Sequence, residues 1–156
     1  MDNPIQTLSD QIVVFSLEEL NYALPVESVL KVIFSVEIRF LPKAPDIILG
    51  IINYKGSIVP VINMRKRFGL KDHEVGLSDL LIIADCGKRI VAILVDTIFG
   101  LKTLSRQELK ETETISFAEH LKGVAKTDDG LILIYDLENF LDLDEESALD
   151  EALETK

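Results

Sequence analysis

The chain has 156 residues, of which 47% are hydrophobic and 28% are charged, and its formal net charge is −11. This composition predicts one folded domain with a substantial core. The negative charge argues against binding to nucleic acid or to an anionic membrane surface. No segment approaches the roughly 18 apolar residues of a membrane-spanning helix, so no membrane insertion is expected.

Two further features favour a cytoplasmic location. The first residues are polar and acidic, so they are not expected to form a signal peptide. Cys86 is the single cysteine, which excludes an internal disulfide and fits a reducing compartment.

Charged residues are unevenly distributed along the chain. Residues 142–156 contain seven acids and one base, so this acidic tail accounts for −6 of the charge and the rest for −5. The one basic cluster, Arg65-Lys66-Arg67, is interpreted as a solvated helix face rather than a phosphate site.

The N-terminal half is predicted to consist of short strands joined by turns and loops. Pro42 and Pro45 exclude both helix and central strand, which predicts a loop at 41–45. The predicted strands are 12–17, 22–25, 31–34, 51–52 and 57–62.

The stretch from Gly50 to Gly69, GIINYKGSIVPVINMRKRFG, is the most informative part of the chain. It predicts two strands around a turn at 55–57, followed by a short helix that begins near Met64. Pro60 cannot donate to a strand ladder, which places its strand at a sheet edge or at a bulge. Because an exposed edge can pair with another chain, the hairpin indicates an interaction surface.

The C-terminal half is predicted to contain two more hairpins and several helices. A capping-box pattern at 105–108 predicts the start of a short helix. Residues 137–141 and 145–153 are also predicted to be helical, although the acids of the second segment repel one another. The predicted strands are 79–84, 89–95, 99–104, 124–126 and 131–135.

A weak internal repeat is visible. Gly50 and Gly56 precede an apolar strand and a short helix, and Gly123 and Gly130 do the same. The segment 22–26 is also similar to 91–95. Two similar small β-subdomains would explain this pattern, and chance similarity between β-rich segments is the alternative.

Few residues indicate catalysis or metal binding. His73 and His120 have no partner at zinc-ligand spacing, and no phosphate-binding loop or nucleophile elbow is present. Asp96 and Asp136 follow apolar strands, where a catalytic carboxylate could lie, but a turn or cap is the commoner use. The sequence therefore predicts no catalytic, metal or cofactor site. The absence of tryptophan argues against stacking surfaces for sugars or single-stranded nucleic acid.

The chain resembles the CheW family of chemotaxis coupling proteins from about Gln11 to Leu141. The most specific motif is GIINYKG at 50–56, followed by VPVINMR at 59–65. The other matching segments are YALPV at 22–26 with Val29, LPKAP at 41–45, ILVDTI at 93–98 with Leu101, and 123–137.

This resemblance implies a mainly β fold. Two five-stranded SH3-like β-barrel subdomains would surround a shared core, with short helices and an acidic C-terminal helix. The whole chain, 1–156, would be one domain, with intertwined subdomains at approximately 12–75 and 76–141 and the tail at 142–156.

The resemblance also implies a non-enzymatic adaptor without a cofactor. Such a protein couples the cytoplasmic tip of methyl-accepting chemoreceptors to the regulatory domain of a CheA-type histidine kinase, and is recruited from the cytoplasm to membrane-associated arrays. The receptor groove would involve Val29, Gly50, Ile98 and Leu101, although each could equally be a core residue. The alternatives are an adaptor in a non-swimming chemosensory pathway and, less favoured, a small β-barrel enzyme with paired carboxylates.

Two lysines depart from the family pattern. The family usually has glutamate where Lys31 stands and arginine where Lys55 stands, and leucine in place of Tyr54. The two lysines cannot form the family's ion pair, so an acid such as Glu27 or Asp46 would have to replace the partner. We expect this change to affect partner choice. The predicted protein-binding residues are Val29, Lys31, Gly50, Asn53, Tyr54, Lys55, Gly56, Ile98 and Leu101.

Overall fold

The computed structural model describes residues 11–76, 78–104, 109–111, 121–128, 130–138 and 140–154. Within these ranges the chain forms mainly β-strands, as predicted. The strands are β1 (Gln11–Leu17), β2 (Leu20–Pro25), β3 (Val29–Phe34), β4 (Ile48–Tyr54), β5 (Ser57–Ile62), β6 (Leu80–Asp85), β7 (Ile90–Val95), β8 (Thr97–Thr103), β9 (Leu109–Glu111), β10 (Leu121–Thr127) and β11 (Gly130–Tyr135). The helices are α1 (Met64–Arg67) and α2 (Leu143–Glu154), and a 3₁₀ turn (Val26–Ser28) precedes β3.

The strands form two sheets. Sheet 1 has the order β8-β1-β2-β11-β10-β9, and sheet 2 has the order β3-β6-β7-β5-β4. Sheet 1 therefore has six strands rather than the predicted five, because the short β9 pairs with β10.

The two sheets do not divide the chain at the predicted boundary between residues 75 and 76. Sheet 2 takes all of its strands from 29–95, whereas sheet 1 combines β1 and β2 with β8 to β11. The chain crosses between the sheets after β2 and again after β7. The sheets draw on both halves of the chain because β2 pairs in parallel with β11.

The internal repeat is present in the topology of the sheets. In sheet 1, β2 lies parallel to the second strand of the β10–β11 hairpin, with Ala23 opposite Ile134. In sheet 2, β7 lies parallel to the second strand of the β4–β5 hairpin, with Ile93 opposite Ile62. The similar segments 22–26 and 91–95 thus occupy equivalent positions in two similar units.

Apolar side chains form three clusters. The central core lies between the sheets and contains Phe15, Leu24, Ile62 and Ile93. Each sheet also encloses a smaller cluster on its other face, which is why the strands of both sheets are almost continuously apolar. This arrangement of two units around a shared core confirms the predicted fold class.

The open edge of sheet 2 is partly closed by the segment that follows β3. Arg39 and Ile51 exchange two main-chain hydrogen bonds of 2.9 and 2.8 Å, which attaches this segment to β4. Gly50 allows the close approach, since a Cβ atom there would lie 2.9 Å from Ile38 Cγ2 and even closer to the Arg39 carbonyl oxygen.

Three local predictions need correction. β5 lies between β4 and β7 and is not an edge strand; Pro60 fits because the ladder with β7 is formed only at Val61 and Ile62. The predicted helix start at 105–108 lies outside the described residues, and the residues that follow it form β9. Residues 137–141 are not helical where they are described, because Leu137 and Phe140 enter the central core as an irregular segment.

The acidic tail includes a docked helix, α2. Asp142 and Glu145 form a reciprocal capping box, with hydrogen bonds of 2.7 and 3.0 Å. Leu149 and Ala152 are buried in the central core. The repulsion expected among the acids is offset because Arg67 pairs with Glu145, and Arg89 pairs with Glu146 and Asp150. Among the described residues, no helix is long and apolar enough to cross a membrane.

Candidate protein-interaction surfaces

The β4–β5 hairpin ends in a two-residue turn. Tyr54 pairs with Ser57, so Lys55 and Gly56 form the loop, and their φ angles are 51° and 84°. Positive φ at both positions is typical of a type I′ turn, which matches the twist of a hairpin. Asn53 Oδ1 accepts a 2.9 Å hydrogen bond from the Gly56 N–H, which holds the turn in this conformation.

Lys55 projects from the hairpin tip. Its Nζ lies 5.4 Å from the centre of the Tyr54 ring, within range of a cation–π contact. Tyr54 is half-buried and packs against the sheet 2 cluster, whereas Lys55 is exposed. The predicted residues Asn53 to Gly56 therefore form one ordered surface with a positive charge at its end.

A cleft of about 570 Å³ lies beside this hairpin. It is lined by Val36, Glu37, Arg39, Ile51, Ile52, Asn53 and Ile58. Phe34 and Phe40, in the same stretch of chain, are 71% and 79% exposed. We refer to this cleft and its apolar surroundings as the hairpin surface.

Most residues of the hairpin surface were not among the predicted protein-binding residues. Its signal was available, since Phe34, at the end of a predicted strand, and Val36 and Phe40, in the segment after it, are apolar residues close together in the sequence. Exposed apolar side chains that cluster mark interaction sites more reliably than single ones.

Gly50 does not belong to an exposed surface. It is buried beneath the main chain of Arg39, as described above. The structure thus places Gly50 as a packing residue that allows the Arg39 bridge to form.

The edge strand β3 presents apolar residues as well as the predicted ones. Val29 is half-buried and packs against the central core, and Lys31 is exposed. Leu30 and Val32 are exposed on either side of Lys31 and were not predicted. Alternation of apolar and charged residues at an unpaired edge suits recognition of another chain.

The edge strand of sheet 1, β8, contains the other two predicted residues. Ile98 is half-buried and packs against the central core, and Leu101 is 59% exposed. Between them lies a bulge against Val14 and Phe15, where Gly100 has a φ of 107°. The bulge leaves Phe99 exposed, which adds a third apolar residue to this edge. We use the name edge-strand surface for Val29, Leu30, Lys31 and Val32 of β3 together with Ile98, Phe99 and Leu101 of β8.

Lys31 and Lys55 have no acidic partner among the described residues. The seven ion pairs in these ranges include neither lysine, and they include neither Glu27 nor Asp46 as a substitute. Both ammonium groups are therefore open to a partner protein.

Arg65 contradicts the interpretation of its cluster as a solvated helix face. Its side chain is 3% exposed and pairs with Glu18 and Asp96. Burial tends to raise the pKa of Asp96. The hydrogen bonds from Arg65 and from the Glu18 N–H outweigh burial, together with the nearby charges, so the pKa lies below its usual value.

The two carboxylates considered for catalysis have structural roles. Asp96 is bound by Arg65 as described, and Asp136 Oδ1 accepts the Glu138 N–H at 2.9 Å. The prediction that a strand-end carboxylate serves as a turn or cap is confirmed for Asp136.

His73 is held by a carboxylate rather than lying free in a loop. Its Nε2 is 2.9 Å from Asp79 Oδ2, and ligand atoms of His73, Asp79 and Asp96 lie within 4.8 Å of one another. The guanidinium of Arg65 already neutralises Asp96, and its positive charge opposes a cation at the same place. His120 lies outside the described residues.

These features define an interaction module made of two small β-subdomains with exposed apolar edges. A family model described as the CheW-like domain matches residues 11–145. The chain therefore belongs to the CheW-like family, and this membership supports an adaptor role in chemotaxis signalling.

Individual relatives agree with the family match. Chemotaxis protein CheW of Thermotoga maritima is 28% identical over 144 residues, which cover 88% of this chain and 95% of that protein. Protein FrzA of Myxococcus xanthus is 25% identical over 114 residues, which cover 72% and 71% of the two chains. The crystal structure of the scaffolding protein TtCheW from Thermoanaerobacter tengcongensis matches with a TM-score of 0.79 and 30% identity, covering 88% of this chain and 95% of that one.

Proposed function

We propose that this protein is a non-enzymatic adaptor that couples the cytoplasmic tips of chemoreceptors to the regulatory domain of a CheA-type histidine kinase. The observation that supports the proposal most directly is the presence of two exposed apolar regions on one CheW-like fold, one beside the β4–β5 hairpin and one along the edge strands. An adaptor needs two surfaces, since it has to bind two partners at once. It would act in the cytoplasm, at receptor arrays on the membrane.

The edge-strand surface is proposed to bind the receptor. Receptor tips are helical hairpins, and an amphipathic helix binds by placing its apolar face against a hydrophobic groove. Ile98 and Val29 both pack on the central core and remain half-exposed, so they can contribute both to folding and to contact. Leu101 and Lys31 would lie at the exposed margin of the contact.

The hairpin surface is proposed to bind the kinase. The turn at Lys55 and Gly56 is held by Asn53, so little entropy is lost when it binds. Ile58 and Val36 are apolar residues beside the cleft, and Glu37 and Arg39 provide polar groups at the same place. Such an apolar centre with a polar margin is typical of specific protein interfaces.

The test is a pair of calorimetric titrations with the full-length protein. One partner is the regulatory domain of a CheA-type kinase encoded beside this protein, and the other is a receptor-tip fragment. Ile58→Asp is expected to weaken kinase binding by about tenfold or more, because it puts a charge into an apolar contact. Leu101→Asp is expected to weaken receptor binding in the same way.

Leu131→Asp is the matched control, since Leu131 is an exposed residue of the equivalent β10–β11 hairpin in sheet 1. It should leave both affinities unchanged. If the wild-type protein is folded and binds neither partner, the proposed function is wrong.

A further inference from the structure

Three separate segments meet at one buried guanidinium. Arg65 Nε lies 3.3 Å from Glu18 Oε1, and Arg65 Nη2 contacts Asp96 Oδ1. The other Asp96 oxygen, Oδ2, accepts the main-chain N–H of Glu18 at 2.9 Å. Each residue thus contacts the other two, and we call this closed set the Arg65 network.

The three residues come from each of the two sheets and from the point where the chain passes between them. Asp96 is the single residue between β7 of sheet 2 and β8 of sheet 1. Arg65 lies in α1, directly after the sheet 2 strand β5, and Glu18 lies in the β1–β2 turn of sheet 1. The N–H of Asp96 also donates a 3.0 Å hydrogen bond to the Ser16 carbonyl. Main-chain and side-chain contacts therefore both hold the chain where it passes from sheet 2 to sheet 1.

The β1–β2 turn has an unfavourable backbone conformation. Glu18 and Glu19 have φ angles of 52° and 70°, a region that glycine or asparagine usually occupies in two-residue hairpin turns. Backbone of this kind persists when its surroundings hold it, and it is found preferentially at functional sites. Here Asp96 and Arg65 hold Glu18 through its main chain and its side chain.

We propose that Arg65 and Asp96 are positioning residues for receptor binding. They hold the start of β8 against the β1–β2 turn and against α1, and thereby set where Ile98 and Leu101 lie relative to sheet 2. The inference rests on the proposed function, because it assigns a role to residues that lie behind the edge-strand surface and do not form it. The hairpin surface is formed by β4, β5 and the segment after β3, and no residue of the Arg65 network lines its cleft, so the network should not affect kinase binding.

The experiment compares two variants of the network with one matched control. Asp96→Asn removes the charge and keeps the shape of the side chain. Arg65→Lys keeps the buried charge, but an ammonium group lacks the planar fork that contacts both carboxylates. The control is Glu145→Gln, which breaks the partly buried pair with Arg67 at the same short helix without involving β8.

Each full-length protein is titrated with the receptor-tip fragment and with the kinase regulatory domain at a temperature where it is fully folded. We expect Asp96→Asn and Arg65→Lys to weaken receptor binding by about tenfold and to leave kinase binding within about twofold, since coupling between sites usually amounts to 5–150-fold. Glu145→Gln should change neither affinity. Amide hydrogen exchange should accelerate in β8 of the network variants and stay unchanged in β4.

Two results would overturn the inference while leaving the proposed function in place. One is unchanged receptor binding in both network variants, and the other is an equal loss of both affinities, which would indicate general destabilisation. Failure of the wild-type protein to bind the receptor fragment would instead contradict the proposed function, and with it this role for Arg65 and Asp96.

Discussion

Arg65 and Asp96 form an ion pair at the point where the chain leaves sheet 2 and enters sheet 1. The guanidinium is buried, whereas the carboxylate is partly exposed. A buried charge is costly once its partner is removed, because the remaining charge has neither water nor a counterion. Removal of either charge is therefore expected to lower the stability of the fold as well as the affinity for the receptor.

The first prediction concerns how pH affects this pair. Because the folded protein lowers the pKa of Asp96, the pair stabilises the fold fully above the ordinary aspartate pKa. This stabilisation is lost as the pH falls through the lowered pKa of the folded state. At neutral pH, Asp96→Asn should reduce the free energy of unfolding by about 2 kcal/mol, which is less than for a fully buried pair because Asp96 is partly exposed and Glu18 still pairs with Arg65.

Urea unfolding of both proteins at a series of pH values measures this difference. The gap should stay constant from pH 7 to about pH 5 and shrink below about pH 4, where aspartate begins to be protonated in the unfolded chain. A gap that stays constant down to the most acidic pH would show that the charge of Asp96 does not stabilise the fold.

The second prediction is that the C-terminal helix is part of the folded core. Leu149 is fully buried in the central core, so Leu149→Ala should lower the free energy of unfolding by about 2–5 kcal/mol. Leu143→Ala, in the first turn of the same helix, changes a side chain that is 78% exposed and should cost less than about 0.5 kcal/mol. Chemical denaturation distinguishes the two, and equal small effects would mean that α2 does not dock in solution.

Local patterns predicted the hairpins correctly, because strand and turn chemistry is encoded within a few residues. The turn at Lys55 and Gly56 and the helix starting at Met64 are examples. The pairing of β2 with β11 joins residues that are more than a hundred positions apart, and no short-range pattern contains that information. The way in which the strands are divided between the two sheets therefore could not be predicted from local patterns, although the repeat itself was recognised.

The same limit applies to the candidate site. The predicted residues Asn53 to Gly56 form an ordered tip because the turn is local, and Ile98 and Leu101 lie on an edge strand. Gly50 matched a motif but faces the main chain of Arg39, a contact made by a segment with no regular structure. Arg65 was predicted to lie on a solvated helix face because its neighbours in the sequence are basic. It is buried instead, because it pairs with Glu18 and Asp96, which are distant in the sequence.

The third prediction follows from the close packing of Gly50. Gly50→Ala would place a methyl group against the main chain at Arg39, which cannot yield as a flexible side chain would. We expect a loss of at least about 2–3 kcal/mol in the free energy of unfolding, because overpacking in a filled core forces the backbone to shift. Gly76→Ala is the control, since its Cβ would lie 3.8 Å from the nearest atom. Should Gly50→Ala be as stable as Gly76→Ala, the Arg39 bridge would not be a fixed feature of the fold.

The fourth prediction concerns Lys55, the unpaired lysine at the tip of the hairpin. If the kinase surface offers acidic groups to Lys55, then Lys55→Glu replaces an attraction with a repulsion and should weaken kinase binding by about five- to tenfold. Raising the salt concentration should reduce the difference between wild type and variant, because exposed charges are screened over about 8–10 Å at physiological ionic strength. Calorimetric titration at two salt concentrations measures both effects.

Lys88→Glu supplies the matched control for this charge reversal, since Lys88 is an exposed lysine in the β6–β7 hairpin loop, away from the hairpin surface. It changes the net charge by the same amount. It should alter kinase binding by less than about twofold, because long-range electrostatic steering is weak at physiological salt. Stronger kinase binding by Lys55→Glu would be the opposite of this prediction. It would mean that the kinase does not present acidic groups to the hairpin turn.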